Sequence, residues 1–165
     1  MPPDYSESSF GNIRPWAEGE AEMKLLISAC LLGCCCRYDG TAKTCLPAAE
    51  LLTRYVVVPV CPEQLGGLPT PRPPAERQGE RVMAKGGLDV TEPYRRGAEE
   101  TLKLCRLLGC EAAVLKERSP SCGCGRIYDG TFSGTLTAGN GVTAELLMEH
   151  KIPVFGESQI EALLK

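Results

Sequence analysis

The chain has 165 residues, 43% hydrophobic and 24% charged, with a formal net charge of −3 and a pI near 5.3. This is the make-up of one soluble globular domain, long enough to bury a core that needs no cross-links to hold it. The absence of a basic block argues against a long nucleic acid as partner, though not against a single phosphate held locally, and no apolar run approaches the ~20 residues that span a bilayer.

Residues 1–22 are polar, acidic and punctuated by Pro and Gly, and read as a tail that includes the only tryptophan, Trp16. The first seven residues carry neither the basic nor the apolar segment of a secretory signal, so the expected compartment is a reducing cytoplasm. From residue 23 to 165 the pattern is that of a single α/β domain. A short apolar run at 24–29 predicts a buried strand, and 47–52 predicts a helix with Pro47 in its first turn. The β-branched run at 55–60 predicts a second buried strand. A Pro- and Gly-rich loop is expected over 62–74, with small local strands at 81–84 and 88–90.

The clearest helix runs from Thr91 to Leu108. Tyr94, Ala98, Leu102, Cys105 and Leu108 form its apolar stripe, Glu99 and Lys103 an i,i+4 pair, and Gly109 its stop. Residues 112–116 predict a third strand, 142–149 a helix, 152–155 a fourth strand and 158–164 a last helix. Strands alternating with helices imply right-handed crossovers, hence a small parallel sheet of about four strands with helices on both faces, a Rossmann-like architecture.

Ten cysteines stand out. In a reducing compartment they signify metal binding, catalysis or packing rather than a disulfide framework. Cys30 follows the first predicted strand, Cys61 the second, and Cys122 lies in the loop leaving the third. In an open parallel sheet, ligands bind outside the carboxyl ends of the strands. Three cysteines distant in sequence are therefore expected at one edge. Cys105 reads as core and Cys110 as the contact that closes the long helix, whereas Cys34, Cys35, Cys36 and Cys124 are reserve ligands or bystanders, Cys34 through its Cys30-x-x-x-Cys34 spacing. Cys45 has no assigned role.

Thiolates suit zinc, copper(I) and iron–sulfur clusters. The paired knuckles of a structural zinc site are absent, and the only histidine, His150, reads as a helix C-terminal residue. Three isolated thiolates fit a cubane cluster with one iron left open to act as a Lewis acid.

Four segments carry a resemblance: Ile27-Ser28-Ala29-Cys30-Leu31-Leu32-Gly33; Cys36-Arg37-Tyr38-Asp39-Gly40; Val60-Cys61-Pro62-Glu63-Gln64-Leu65-Gly66-Gly67-Leu68; and Leu115-Lys116-Glu117-Arg118-Ser119-Pro120-Ser121-Cys122-Gly123. With the segments at 127–132 and 141–144, they resemble the TudS-type thiouracil desulfidases over about residues 24–157. The pair Cys34-Cys35 departs from the family pattern. The resemblance implies a 4Fe-4S cluster on Cys30, Cys61 and Cys122, and removal of sulfur from a thiolated uracil or its nucleotide without net redox change. It also carries the carboxylate of the Cys-Pro-Glu motif onto Glu63 and the serine of the Ser-Pro-Ser-Cys motif onto Ser119.

On this reading Glu63 activates water or attacks directly, and Ser119 donates a hydrogen bond or relays a proton, with Ser121 able to exchange roles with it. Arg37, Arg72, Lys116 and Arg118, in or beside the same loops, are candidates to neutralise a substrate phosphate or a developing oxyanion. The rival readings are a non-catalytic iron–sulfur or thiol redox-sensing module, which needs neither Glu63 nor Ser119, and a structural zinc protein.

Overall fold

The computed structural model describes residues 22–165; the sequence expectations for the tail, Trp16 included, lie outside the described residues. The chain runs through β1 (Lys24–Ser28), α1 (Leu46–Leu51), β2 (Val56–Val60), α2 (Pro62–Leu65), β3 (Ala75–Gln78), β4 (Arg81–Ala84) and α3 (Thr91–Leu108). It continues through β5 (Ala112–Leu115), β6 (Arg126–Tyr128), β7 (Leu136–Ala138), α4 (Val142–Glu149), β8 (Val154–Gly156) and α5 (Ile160–Leu163). Four strands form one parallel sheet in the order β2-β1-β5-β8, and β3-β4 and β6-β7 form two antiparallel hairpins.

The sheet is covered on both faces, and its strands alternate accordingly. Leu25 and Ile27 of β1, with Ala112 and Val114 of β5, pack with Ala48 and Leu51 of α1 and Ile160 of α5. Leu26, Ala113 and Leu115 point the other way, onto Leu102 and Cys105 of α3 and Ala144 and Leu147 of α4. Residues buried on both faces explain why these strands read as continuous apolar runs. Numbered among the four core strands alone, the order is 2-1-3-4, so the winding reverses between β1 and β5. A crevice at the carboxyl ends of the strands opens at such a reversal.

The long helix ends as its sequence dictates. Gly109 takes the left-handed conformation at φ 70°, and the Cys110 amide reaches back to the Cys105 carbonyl over 2.8 Å. Cys105 and Cys110 are both buried, as their positions predict.

Five local expectations are corrected. The second strand is not buried along its length: β2 lies at the sheet edge, where only Val60 is buried and Pro59 is exposed. The start of the 62–74 segment is not loop but α2, with Pro62 at its first position and Glu63 in its first turn, both ordinary helix-start signals. Residues 88–90 form no strand; a single bridge, Met83 to Asp89, and the Arg81–Asp89 ion pair at 3.0 Å join them to β4, whose true partner is β3. Lys103 pairs with Glu100 at 2.6 Å rather than with Glu99. The last helix is split into a 3-10 turn, Glu157–Gln159, and α5. Among the described residues no helix is long and apolar enough to cross a membrane.

Candidate metal centre

Each of the three cysteines leaves the carboxyl end of a different sheet strand. Cys30 sits in the 3-10 turn Ala29–Leu32 directly after β1, a turn closed by left-handed Gly33 (φ 101°). Cys61 directly follows β2 and precedes the first residue of α2. Cys122 follows β5 after a tight turn in which Ser119 Oγ accepts the Ser121 and Cys122 amides, each at 3.1 Å. Gly141 presses against that turn; a Cβ there would meet the Ser121 carbonyl carbon at 2.3 Å, so only glycine lets the start of α4 brace it. Cys30, Cys61 and Cys122 line one cavity of about 530 Å³. Cys30 and Cys122 are buried and Cys61 is half-buried.

The thiols sit in an environment that resists charge. Burial, then the neighbouring Cys61, pushes Cys30 up from 9.0 to about 11, against the opposing pull of Lys116 and Arg37. Burial likewise raises Cys122, and Glu63, Cys30 and Cys61 add to the effect while a hydrogen bond from Ser28 works against it. Cys36 is pushed up to about 12, first by burial and then by Cys61 and Cys30. A pocket of thiols that oppose one another's ionisation suits a cationic metal group, which takes the thiolates and releases their protons.

Among the described residues no three His, Cys, Asp or Glu side chains close around a point as the ligands of a single ion do. Cubane thiolates, which each bind a different iron, have no need to do so. Among the described residues the one buried side-chain N or O atom without a partner is Arg72 Nε, on a guanidinium whose charge is favoured by Cys61. The residues present thus fit an iron–sulfur cluster.

The structure separates the reserve cysteines. Cys36, not Cys34, is the additional thiol lining the cavity, and its carbonyl accepts the Cys61 thiol at 3.7 Å. Cys34 and Cys35 are exposed. Cys124 turns to the Val154 carbonyl, 3.7 Å away on β8.

Glu63 lines the cavity with both carboxylate oxygens engaged. Oε2 pairs with Arg72 Nη2 at 2.7 Å, and Oε1 accepts the Tyr94 hydroxyl. Burial, then the Glu63 charge, raises the Tyr94 phenol well above its ordinary value, so it stays a donor. Arg72 is buried, and its two terminal nitrogens are committed: besides Glu63 they donate to the carbonyls of Cys36 (2.9 Å) and Pro69 (3.1 Å) and to Thr70 Oγ1 (3.0 Å). Burial opposes its charge, but Glu63 outweighs burial and the guanidinium is held the more firmly protonated. Arg72 therefore reaches Glu63 rather than the cavity wall.

The remaining expected site residues divide in the same way. Ser119 lines the cavity; because its oxygen already accepts two amides, its O–H is free to donate. Ser121 is buried against Thr143 Oγ1 at 3.0 Å and stands off the cavity. Lys116 lines the cavity but is paired with Glu157. Arg37 lies at the mouth, 3.9 Å from Asp39, and Arg118 is exposed there.

Three residues escape the sequence expectation. Ser28, 2% exposed, accepts the Lys116 amide at 2.8 Å, tying the ends of β1 and β5 together across the reversal. Its only signal is a hydroxyl at the end of a buried strand. Tyr94 reads as core stripe because its ring is core; only its hydroxyl serves the site. Glu76 enters the cavity on β3, whose hairpin is held to the start of α3 by a bond from the Val82 amide to Thr91 Oγ1 at 2.9 Å. Nothing local in the sequence marks it.

The 2-thiouracil desulfurase family model matches residues 25–159, and the chain belongs to that family. It is 41% identical over 150 residues to YbbK, an uncharacterised protein of Bacillus subtilis (strain 168), a match covering 85% of this chain and 99% of that one. Among solved structures it is similar to the 4Fe-4S-dependent thiouracil desulfidase TudS, at 52% sequence identity and a TM-score of 0.81, over 87% of this chain and 96% of that one.

Proposed function

We propose that this member of the 2-thiouracil desulfurase family removes the sulfur of thiouracil or a thiouridine nucleotide, with a 4Fe-4S cluster held by Cys30, Cys61 and Cys122. The observation that carries this reading is that three cysteines from three strand ends share one cavity with Glu63 and Ser119, in a chain 52% identical to a 4Fe-4S-dependent desulfidase.

When bound, the cluster supplies an iron without a protein thiolate, a Lewis acid toward the thiocarbonyl sulfur. Everything else falls to the chain. Glu63, fixed by Arg72 and Tyr94, accepts a proton from a water directed at the thiocarbonyl carbon. Ser119 donates its free O–H to the reacting centre. The balance is hydrolytic: a carbon–oxygen bond forms, the carbon–sulfur bond breaks, and sulfur departs as hydrosulfide with no electron gained or lost. The buried walls beside Cys30, Cys122 and Ser28 limit the water that reaches the centre.

A nucleotide phosphate, where present, falls to the mouth of the cavity. Arg37 is available there, since its contact with Asp39 is long, and the exposed Lys43 and Lys85 stand nearby. Arg72 and Lys116 already hold carboxylates, and serve by fixing Glu63 and the loop after β5.

The test is direct. Cluster-loaded protein incubated anaerobically with 2-thiouracil should consume the thiocarbonyl absorbance and release one hydrosulfide per base, and Glu63→Gln at equal iron content should not. Loaded wild-type protein that leaves both 2-thiouracil and 4-thiouridine monophosphate intact would overturn the reading.

A further inference from the structure

The mechanism leaves one buried charge in the cavity unused. Glu76 is 7% exposed and lines the cavity, on a strand remote in sequence from every cysteine of the site. Its Oε1 accepts the amides of Gly130 (3.3 Å) and Phe132 (3.2 Å). Its Oε2 accepts no hydrogen bond among the described residues, and it is not one of the atoms sealed inside the protein without a partner. One oxygen of a carboxylate nine-tenths buried is thus spent on holding the loop after β6, and the other opens on the cavity. An acceptor that opens on the cavity and has no protein donor is free to take a hydrogen bond from a ligand.

The surroundings indicate the shape of that donor. Phe132, held by the same carboxylate, lines the cavity in the left-handed conformation at φ 57°, a posture unusual for a bulky residue. Tyr128 and Tyr38 complete an aromatic wall. Aromatic faces beside a lone acceptor form a site for a flat ring that carries an N–H.

Resting on the desulfidase reading above, we propose that Glu76 is a specificity-determining residue whose Oε2 accepts the N3–H of the thiolated pyrimidine while the ring lies against Phe132 and Tyr128. N3 is the choice because N1 bears the sugar in a nucleoside and must face the mouth, whereas Glu76 belongs to the buried wall. N3 also adjoins both C2 and C4, so the contact serves a sulfur at either position. The site thereby selects bases protonated at N3 and discriminates against those that present an acceptor or a methyl group there.

The experiment compares 2-thiouracil with 3-methyl-2-thiouracil on cluster-loaded wild-type, Glu76→Gln and Glu76→Ala proteins of matched iron content. Wild type should favour the unmethylated base by about 10- to 100-fold in kcat/KM, the worth of a hydrogen bond to a charged group. Glu76→Gln keeps an oxygen for the Gly130 and Phe132 amides but turns a donor toward N3–H. It should raise KM for 2-thiouracil by about tenfold, leave kcat within about threefold, and lose most of the discrimination. The methylated base tests wild type even where Glu76→Ala loosens the loop and fails to fold. Equal use of both bases by wild type, or full discrimination retained by Glu76→Gln, would overturn the proposal and leave the desulfidase reading standing. Wild type inert toward both bases and toward 4-thiouridine monophosphate would instead overturn the desulfidase reading on which it rests.

Discussion

Gly66 and Gly97 meet backbone to backbone. A Cβ on Gly97 would stand 2.0 Å from the Pro62 carbonyl oxygen, and one on Gly66 2.0 Å from that of Pro93. This contact lets α2 lie directly on α3, bringing Glu63 within reach of Tyr94. Gly97→Ala is therefore expected to destabilise the protein by about 1–3 kcal/mol through overpacking, although alanine is the better helix former by about 1 kcal/mol. The displaced α2 should also lower iron uptake at Cys61. A urea unfolding midpoint equal to or above that of wild type would show that α2 does not depend on this close approach.

The pair of Arg72 with Glu63 is buried at the arginine and half-buried at the carboxylate, with side chains 3% and 16% exposed. Removing one partner strands the other charge, so Arg72→Leu should cost about 3–5 kcal/mol in chemical denaturation. Arg72→Lys should recover only part of this, because a single ammonium cannot serve Glu63 and the Cys36, Pro69 and Thr70 oxygens together.

Glu63→Gln should retain the cluster's visible absorbance and lower kcat by about 10²- to 10⁴-fold, the usual reach of general base catalysis. Tyr94→Phe removes an orienting bond and not the base, so its loss should be smaller, about tenfold. Steady-state rates at matched iron content distinguish the two, and a larger defect in Tyr94→Phe than in Glu63→Gln would invert the assignment.

The thiols predict an alkaline weakness confined to the metal-free protein. The pKa of Cys30 is raised on folding from 9.0 to about 11, so the fold favours its neutral form. Its contribution to stability is fully present below pH 9 and is lost as the pH rises through 11. The melting temperature of the metal-free protein should fall across that window. In the loaded protein the cysteines are already thiolates, and the fall should be much reduced. Parallel thermal melts between pH 8 and 11 check this.

Much of this was legible in the sequence, and the exceptions have physical causes. Continuous apolar runs marked β1 and β5, covered on both faces, and the half-buried edge strand β2, and fixing those strand ends located Cys30, Cys61 and Cys122 together. The short hairpins β3-β4 and β6-β7 are held by turns and by contacts with distant elements, such as Glu76 on the loop after β6, and so leave little periodic trace. Arg72 read as a cation for substrate because a sequence shows charge but not its partner; the fold spends it on Glu63. Cys36 rather than Cys34 joins the cavity because Gly33 closes the turn after Cys30 and leaves Cys34 and Cys35 facing solvent.

The most direct test of the central claim is iron and acid-labile sulfide analysis after anaerobic reconstitution of wild type and of the single variants Cys30→Ser, Cys61→Ser, Cys122→Ser and Cys36→Ser. The account predicts about four irons and four sulfides per chain for wild type and Cys36→Ser. It predicts a severe loss of both in each of the other three. Full iron in any of those three, or zinc in place of iron in wild type, would contradict it.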